Sequence, residues 1–193
     1  MERRIAELAR SAGGLAQWRR GALILLNEVV RFDVAFFHEL SPRVPLERGA
    51  LVGLDPALLA ATLGSWDENA VVLGRIRDVA LAQGGVAIDD EVFAPSSKGR
   101  REWDRRVRRP MRLRSVMMVH LVVRSRIVSV AMLARAREPA FSANHRETLA
   151  ALVPTVAVCD ALAQSLEGGA WTAPRESLTC VDQRLTPRQH KLV

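Results

Sequence analysis

Residues 113–135 read LRSVMMVHLVVRSRIVSVAMLAR. The run 115–123 is almost unbroken apolar and rich in β-branched side chains, 127–133 is a second such run, and Arg124-Ser125-Arg126 connects them. Two β-rich apolar runs joined by about three polar residues predict an antiparallel hairpin. Neither run alternates cleanly, so both faces are expected to be covered, one by helices and the other by loops or a cavity they enclose. A three-residue turn sets Val123 opposite Ile127. Met118, His120, Val130 and Met132 then share one face, and Met117, Val119, Leu121, Ser129 and Ala131 the other. A slip of one residue would invert every assignment.

Upstream of the hairpin, residues 2–31 read as helix, with a possible break at Gly13-Gly14. Leu8, Ala12, Leu15, Ala22, Leu26 and Val29 fall at steps of three and four, missing one beat at Arg19. Such a stripe either lies on the domain's own sheet or contacts a partner subunit. DVAFFHEL, 33–40, predicts the first strand and 49–54 the second, with a turn-rich break at 41–45. Asp55-Pro56 opens a helix as N-cap and first helical residue. A further helix over 66–83 stops at Gly84-Gly85, and a short strand follows at 86–88. Asp89-Asp90-Glu91 reads as a solvated acidic loop, because no spaced set of oxygen ligands follows it.

Residues 96–114 are the most basic segment. Lys98, Arg100, Arg101, Arg105, Arg106, Arg108, Arg109, Arg112 and Arg114 face only Glu102 and Asp104, with Trp103 among them. The segment predicts a helix stopped before Pro110. It is either a solvated surface helix or a patch that holds an anion or stacks a base. Downstream of the hairpin, Ser142 is the N-cap of a helix running from Ala143 to about Glu167. Leu149, Leu152, Val156, Cys159, Ala163 and Leu166 form a heptad stripe along it, with Pro154 inside. That stripe motivates the expectation of a homodimer. Residues 170–184 lack any period and read as linker. Thr186-Pro187-Arg188-Gln189 is a capping box that opens a further helix just before the sequence stops.

The 193 residues suit one sizeable domain with appended helices. Half the residues are apolar and a quarter charged, as in ordinary globular proteins. No apolar run reaches a membrane span, and Met-Glu-Arg-Arg-Ile lacks the apolar core of a secretory signal, so a cytoplasmic protein with no membrane contact is expected. Cys159 and Cys180 are then free thiols. The formal charge of +7 comes almost wholly from arginine and permits contact with nucleic acid without requiring it. Phosphate-binding glycine loops, a nucleophile elbow and spaced metal-ligand pairs are absent from the sequence, so no catalytic residue and no metal is assigned. His120 is the one polar residue within the run 116–123. It is satisfied by neighbouring groups, bonds a ligand, or ligates a metal or haem.

With these elements placed, residues 15–167 resemble a GAF domain. GAF domains commonly carry a hairpin of the form RS-apolar-P-L-x-x-x-G-x-x-x-G-apolar. Arg114-Ser115 and Leu121 match it, while His120 replaces the frequent proline, Ser125 the turn glycine and Ser129 the glycine of the second strand. The following FS-x-x-D-x-x-L-L-x-x-L-A-P pattern is matched by Phe141-Ser142, Leu149, Leu152 and Pro154, with His145 where an acid is usual. The tail resembles the LTPRE opening of LuxR-type helix-turn-helix domains through Leu185-Thr186-Pro187-Arg188, with Gln189 for the glutamate.

The resemblance implies an α+β, GAF/PAS-like fold: an antiparallel sheet of five or six strands, long N- and C-terminal helices on one face, and residues 55–112 roofing the other. It implies a sensor domain over 1–168, a linker over 169–184 and the start of a truncated DNA-binding domain at 185–193. A small molecule or partner protein on the roofed face would alter dimer geometry, and DNA would be met only through the missing C-terminal domain. The expected lining is Phe36, His38, Trp103, Met118, His120 and Met132. No motif for cyclic nucleotide, bilin or haem carries over, so no cofactor is expected. The alternatives are a ligand-free dimerisation or protein-interaction module, and an enzyme on the same scaffold such as a sulfoxide reductase, which the missing cysteine cluster disfavours.

Overall fold

The computed structural model describes residues 1–39, 48–64 and 70–168. The predicted turn at 41–45, the helical residues 66–69, the linker, Cys180 and the tail from Leu185 lie outside the described residues. Five strands form one antiparallel sheet: β1 (Val34–His38), β2 (Ala50–Val52), β3 (Val86–Ile88), β4 (Ser115–Val123) and β5 (Arg126–Arg135), in the order β2-β1-β5-β4-β3. The hairpin β4–β5 is the centre of the sheet, as its two-sided hydrophobicity requires. Val116, Met118, Val130, Met132 and Ala134 face one apolar cluster, and Met117, Val119, Leu121, Ala131 and Leu133 face another.

The register of the hairpin is the expected one from Leu121 inward: Leu121 pairs with Ser129, His120 with Val130 and Met118 with Met132. The tip differs. Val123 pairs with Arg126 across a two-residue turn, in which Arg124 and Ser125 both take positive φ, 50° and 62°. That geometry suits the twist of a tight hairpin. A bulge between Leu121 and Val122 then absorbs one residue and restores the frame.

Helices α1 (Glu2–Ser11), α2 (Leu15–Val30) and α7 (Ala143–Gly168) cover one face. The break at 12–14 separates α1 from α2, and α1 folds back against both α2 and α7. The heptad stripe of α7 is used inside the domain: Leu149, Leu152, Val156, Cys159 and Ala163 are buried, and only Leu166 of that set is exposed, at 73%. Its periodicity therefore reports packing on this chain's own core. Helix α7 is long and apolar enough to cross a membrane by composition, but its inner side is the centre of the helical face. At its start, His145 Nδ1 accepts from Ser142 N at 3.1 Å, which is the part an acidic residue plays in a capping box.

The opposite face is roofed by α3 (Pro56–Gly64), α4 (Ala70–Ala82), α5 (Asp89–Val92) and α6 (Lys98–Trp103), with a π-helical turn at Asp104–Arg108 ending before Pro110. Asp55 Oδ1 accepts from Ala57 N at 2.9 Å, the expected cap of α3. Beyond α4, Gly85 takes φ +92°, and a Cβ there would lie 2.8 Å from the His120 carbonyl oxygen. Glycine is required at that point, because β3 meets β4 immediately afterwards, with His120 N donating to Gly85 O at 2.7 Å.

Candidate functional site

The strand registers set the roofed face out in rows. Phe36, Met132, Met118 and Ala87 lie side by side across β1, β5, β4 and β3. The next row holds His38, Val130 and His120. Strand spacing puts the two histidines about 10 Å apart, on either side of Val130. Five of the six expected lining residues thus fall on two adjacent rows of one sheet face. Trp103, the sixth, joins Phe36, Met118 and Met132 in the same buried cluster from the roof, together with Leu59, Val72, Ile76 and Ala80 of α3 and α4.

The two histidines differ. His38 Nδ1 lies 2.8 Å from the Glu39 carbonyl oxygen, and its ring stacks on Phe36 with centroids 6.3 Å apart. His120 is 5% exposed, and its Nδ1 is buried without a hydrogen-bond partner. Burial pulls the His120 imidazole down to about 4, aided by Arg77 and opposed by Asp78, so the ring is neutral at physiological pH. Leaving such an atom unpaired is costly in a folded interior, which makes His120 a chemically unfinished point on the sheet side of this face.

Trp103 is also a structural anchor. Its Nε1 donates to Asp89 Oδ2 at 2.9 Å, and Val116 N donates to Asp89 Oδ1 at 3.0 Å. The acidic stretch is a helical turn rather than a loop; Asp90 and Glu91 are exposed, as expected, but Asp89 is completely enclosed. Burial pushes its carboxyl up to about 6, against the bonds from Val116 and Trp103. Arg108 Nη1 lies 3.4 Å from Asp89 and 3.2 Å from Asp90, and Arg100 is paired to Asp90 and Asp104. Arg100 and Arg108 thus pin the roof to the β3–β4 edge, while Lys98, Arg101, Arg105, Arg109, Arg112 and Arg114 stay exposed. Trp103, Val107, Arg108 and Met111 are buried, so the segment is amphipathic, with one side packed into the roof and a basic outer side in solvent.

A second polar centre, on the helical face, fills the missing beat at Arg19. Its guanidinium is fully buried, with Nε 2.9 Å and Nη2 3.2 Å from the two oxygens of Asp160. Trp18 Nε1 donates to Asp160 Oδ1 at 3.1 Å, Ser129 Oγ to Oδ2 at 2.5 Å, and Gln164 Nε2 to Oδ2 at 2.6 Å. Arg19 also donates to the Arg48 carbonyl and Ser129 Oγ and stacks over Phe37. The network ties α2, β5 and α7 together, the Arg19 and Asp160 side chains are matched within it, and the Glu39 carboxylate lies 3.7 Å from Arg19 Nη2. The signal available in the sequence was the arginine itself, standing where the stripe called for an apolar residue. Among the described residues, no three His, Cys, Asp or Glu side chains converge as a metal site.

Neither protein-family models nor curated proteins match this sequence. Solved structures do. The GAF domain of an Acinetobacter phosphoenolpyruvate-protein phosphotransferase superposes with TM-score 0.53 at 14% identity, over 87% of this chain and 94% of that one. The fold is GAF-like. A phycoerythrobilin-bound GAF domain from a cyanobacterial phytochrome gives 0.53 at 15% identity, over 86% of this chain and 94% of that one. Escherichia coli SdiA gives 0.59 at 14% identity, over 98% of this chain and 80% of that one. At these identities the GAF likeness is one of architecture.

Proposed function

We propose that residues 1–168 are the sensing part of a cytoplasmic transcription regulator, in which a small molecule or partner protein on the roofed face alters a homodimer and, through it, attached DNA-binding domains. One observation carries the reading. A GAF-like sheet gathers Phe36, Met118 and Met132 beside a buried histidine, His120, whose Nδ1 has no partner. SdiA, a LuxR-type regulator, is similar in fold, and residues 185–188 match the LuxR-type opening. The homodimer is assigned to the N- and C-terminal helices, where Ile24 of α2 and Val158, Leu162 and Leu166 of α7 are exposed. DNA contact belongs to the domain that Leu185 begins. The role is regulatory, with no membrane step and no reaction catalysed.

A second reading, a ligand-free interaction module, is favoured by the close packing of Phe36, Trp103, Met118 and Met132, all nearly inaccessible. Native mass spectrometry of the protein as purified, repeated after denaturation, separates the two. Extra mass that vanishes on denaturation supports the sensor. A bare dimer at twice 21.3 kDa supports the interaction module. A bare monomer sinks both.

A further inference from the structure

The chemistry of the roofed face narrows what it can bind. Its walls are apolar: Phe36, Met118, Val130 and Met132 from the sheet, Ile76 from α4, and Trp103, whose N–H is committed to Asp89. The sheet register places two polar side chains on the same rows. His38 has its Nδ1 at the Glu39 carbonyl, whereas His120 Nδ1 is enclosed and unmet. The nearby charges are matched within the protein, Arg77 by Asp78 at 2.7 Å, and Arg100 and Arg108 by Asp89, Asp90 and Asp104. A charged guest would find no free counter-charge among these groups, and burying it unpaired would be prohibitive. Met118 and Met132, paired on the row next to the histidines, are unbranched and adaptable, suited to repacking around a guest.

We propose that the roofed face takes a neutral, largely apolar small molecule with a single hydroxyl-type hydrogen-bonding group, which meets His120 Nδ1. This rests on the sensor reading and adds the chemical class of its ligand. In the ligand-free protein the unpaired nitrogen is a cost carried for binding, the usual trade between a site and stability.

The test uses matched pairs that differ by one hydroxyl: p-cresol against toluene, and 1-naphthol against naphthalene. Binding is followed by the side-chain ¹⁵N resonances of the histidines in the wild-type protein. The hydroxyl member of at least one pair should bind roughly tenfold tighter than its hydrocarbon, as one buried hydrogen bond allows, and should move the His120 resonances most. In the His120→Leu protein that preference should vanish, while the melting temperature without ligand at pH 7 rises by about 2–6 °C, since an unmet polar atom is removed. Equal binding within each pair, hydroxyl preference retained in His120→Leu, or failure of all four molecules to bind overturns the proposal. The wild-type titration decides the matter even if His120→Leu does not fold. If the probes fail while native mass spectrometry of the wild type still reveals a captured ligand, the ligand class is wrong and the sensor reading stands.

Discussion

The two faces of this sheet bury polar groups in opposite ways. On the helical face, Arg19 and Asp160 are fully enclosed and their hydrogen-bonding capacity is met by Trp18, Ser129, Gln164 and the Arg48 carbonyl. On the roofed face, a few residues away along the same hairpin, His120 is enclosed with one nitrogen unmet. The first arrangement commits three elements to a single packing. The second leaves chemistry unspent. A satisfied buried network speaks for architecture and an unsatisfied buried atom for a visitor, which is why we place function opposite the terminal helices.

The sharpest way to break this comparison is to unbalance the satisfied side. Asp160→Ala removes the carboxylate that both buried nitrogens of Arg19, the Trp18 indole and Ser129 address. With the Glu39 carboxylate, 3.7 Å from Nη2, left as its counter-charge, the buried guanidinium should cost about 3 kcal/mol in urea unfolding. Pairing that change with Arg19→Met should recover most of the loss, because two apolar side chains pack where the ion pair was. If Asp160→Ala is nearly neutral, the network is not the keystone its geometry indicates.

The unsatisfied side should reveal itself through pH. His120 has a folded-state value near 4 against an ordinary 6.5, so its contribution to stability is intact above pH 6.5 and is lost as pH falls toward 4. The loss is about 3 kcal/mol. Asp89 runs the other way. With its carboxyl raised from 3.8 to about 6, its contribution is complete below pH 3.8 and is lost as pH rises through 6, also by about 3 kcal/mol. Between pH 4 and 6 the two slopes oppose each other. Unfolding free energies of wild type and His120→Leu, measured from pH 7 to 4, should therefore diverge by about 3 kcal/mol, the variant gaining relative stability as the solution is acidified. Parallel curves would mean that the imidazole is more solvated or better partnered than its surroundings indicate.

Next in size is Gly85→Ala. The residue takes φ +92°, and a Cβ there would lie 2.8 Å from the His120 carbonyl oxygen. The substitution should cost about 2 kcal/mol from backbone strain alone. It should also weaken p-cresol binding if that binding uses His120, since the strand carrying the imidazole must shift. A destabilised protein with unaltered binding would separate the site from this corner.

The sheet was legible because its central hairpin is hydrophobic on both faces. That pattern placed β4 and β5, gave their register from Leu121 inward and put Met118, His120, Val130 and Met132 on one face. The tip was misread because a two-residue turn plus a bulge gives the same inner register as a three-residue turn, and composition does not separate them. Asp89 was misjudged, and Arg19 passed over as a missing beat, for a different reason. Charge in a sequence predicts solvent exposure, and only long-range contacts, 27 residues away for Asp89 with Val116 and 141 for Arg19 with Asp160, reverse that. The heptad stripe on α7 was seen correctly as a stripe, but period alone does not say whether it faces a second chain or the chain's own core.

The smallest expected effect on folding addresses that last ambiguity. With Leu149 to Ala163 spent inside, the outer side of α7 keeps Val158, Leu162 and Leu166 in solvent. Val158→Ser combined with Leu162→Ser removes exposed apolar surface and no internal contact of consequence, so unfolding should change by less than about 0.5 kcal/mol per site. If the homodimer uses this side of the helix, the same pair should weaken it at least roughly tenfold in sedimentation equilibrium, because apolar side chains at the centre of an interface carry much of its affinity. Unchanged association would move the interface to α1 or to the neighbourhood of Ile24 on α2. In that case the helical face would be finished on both of its sides, inner network and outer surface alike. The roofed face would then be left as the place where the His120 nitrogen awaits a partner.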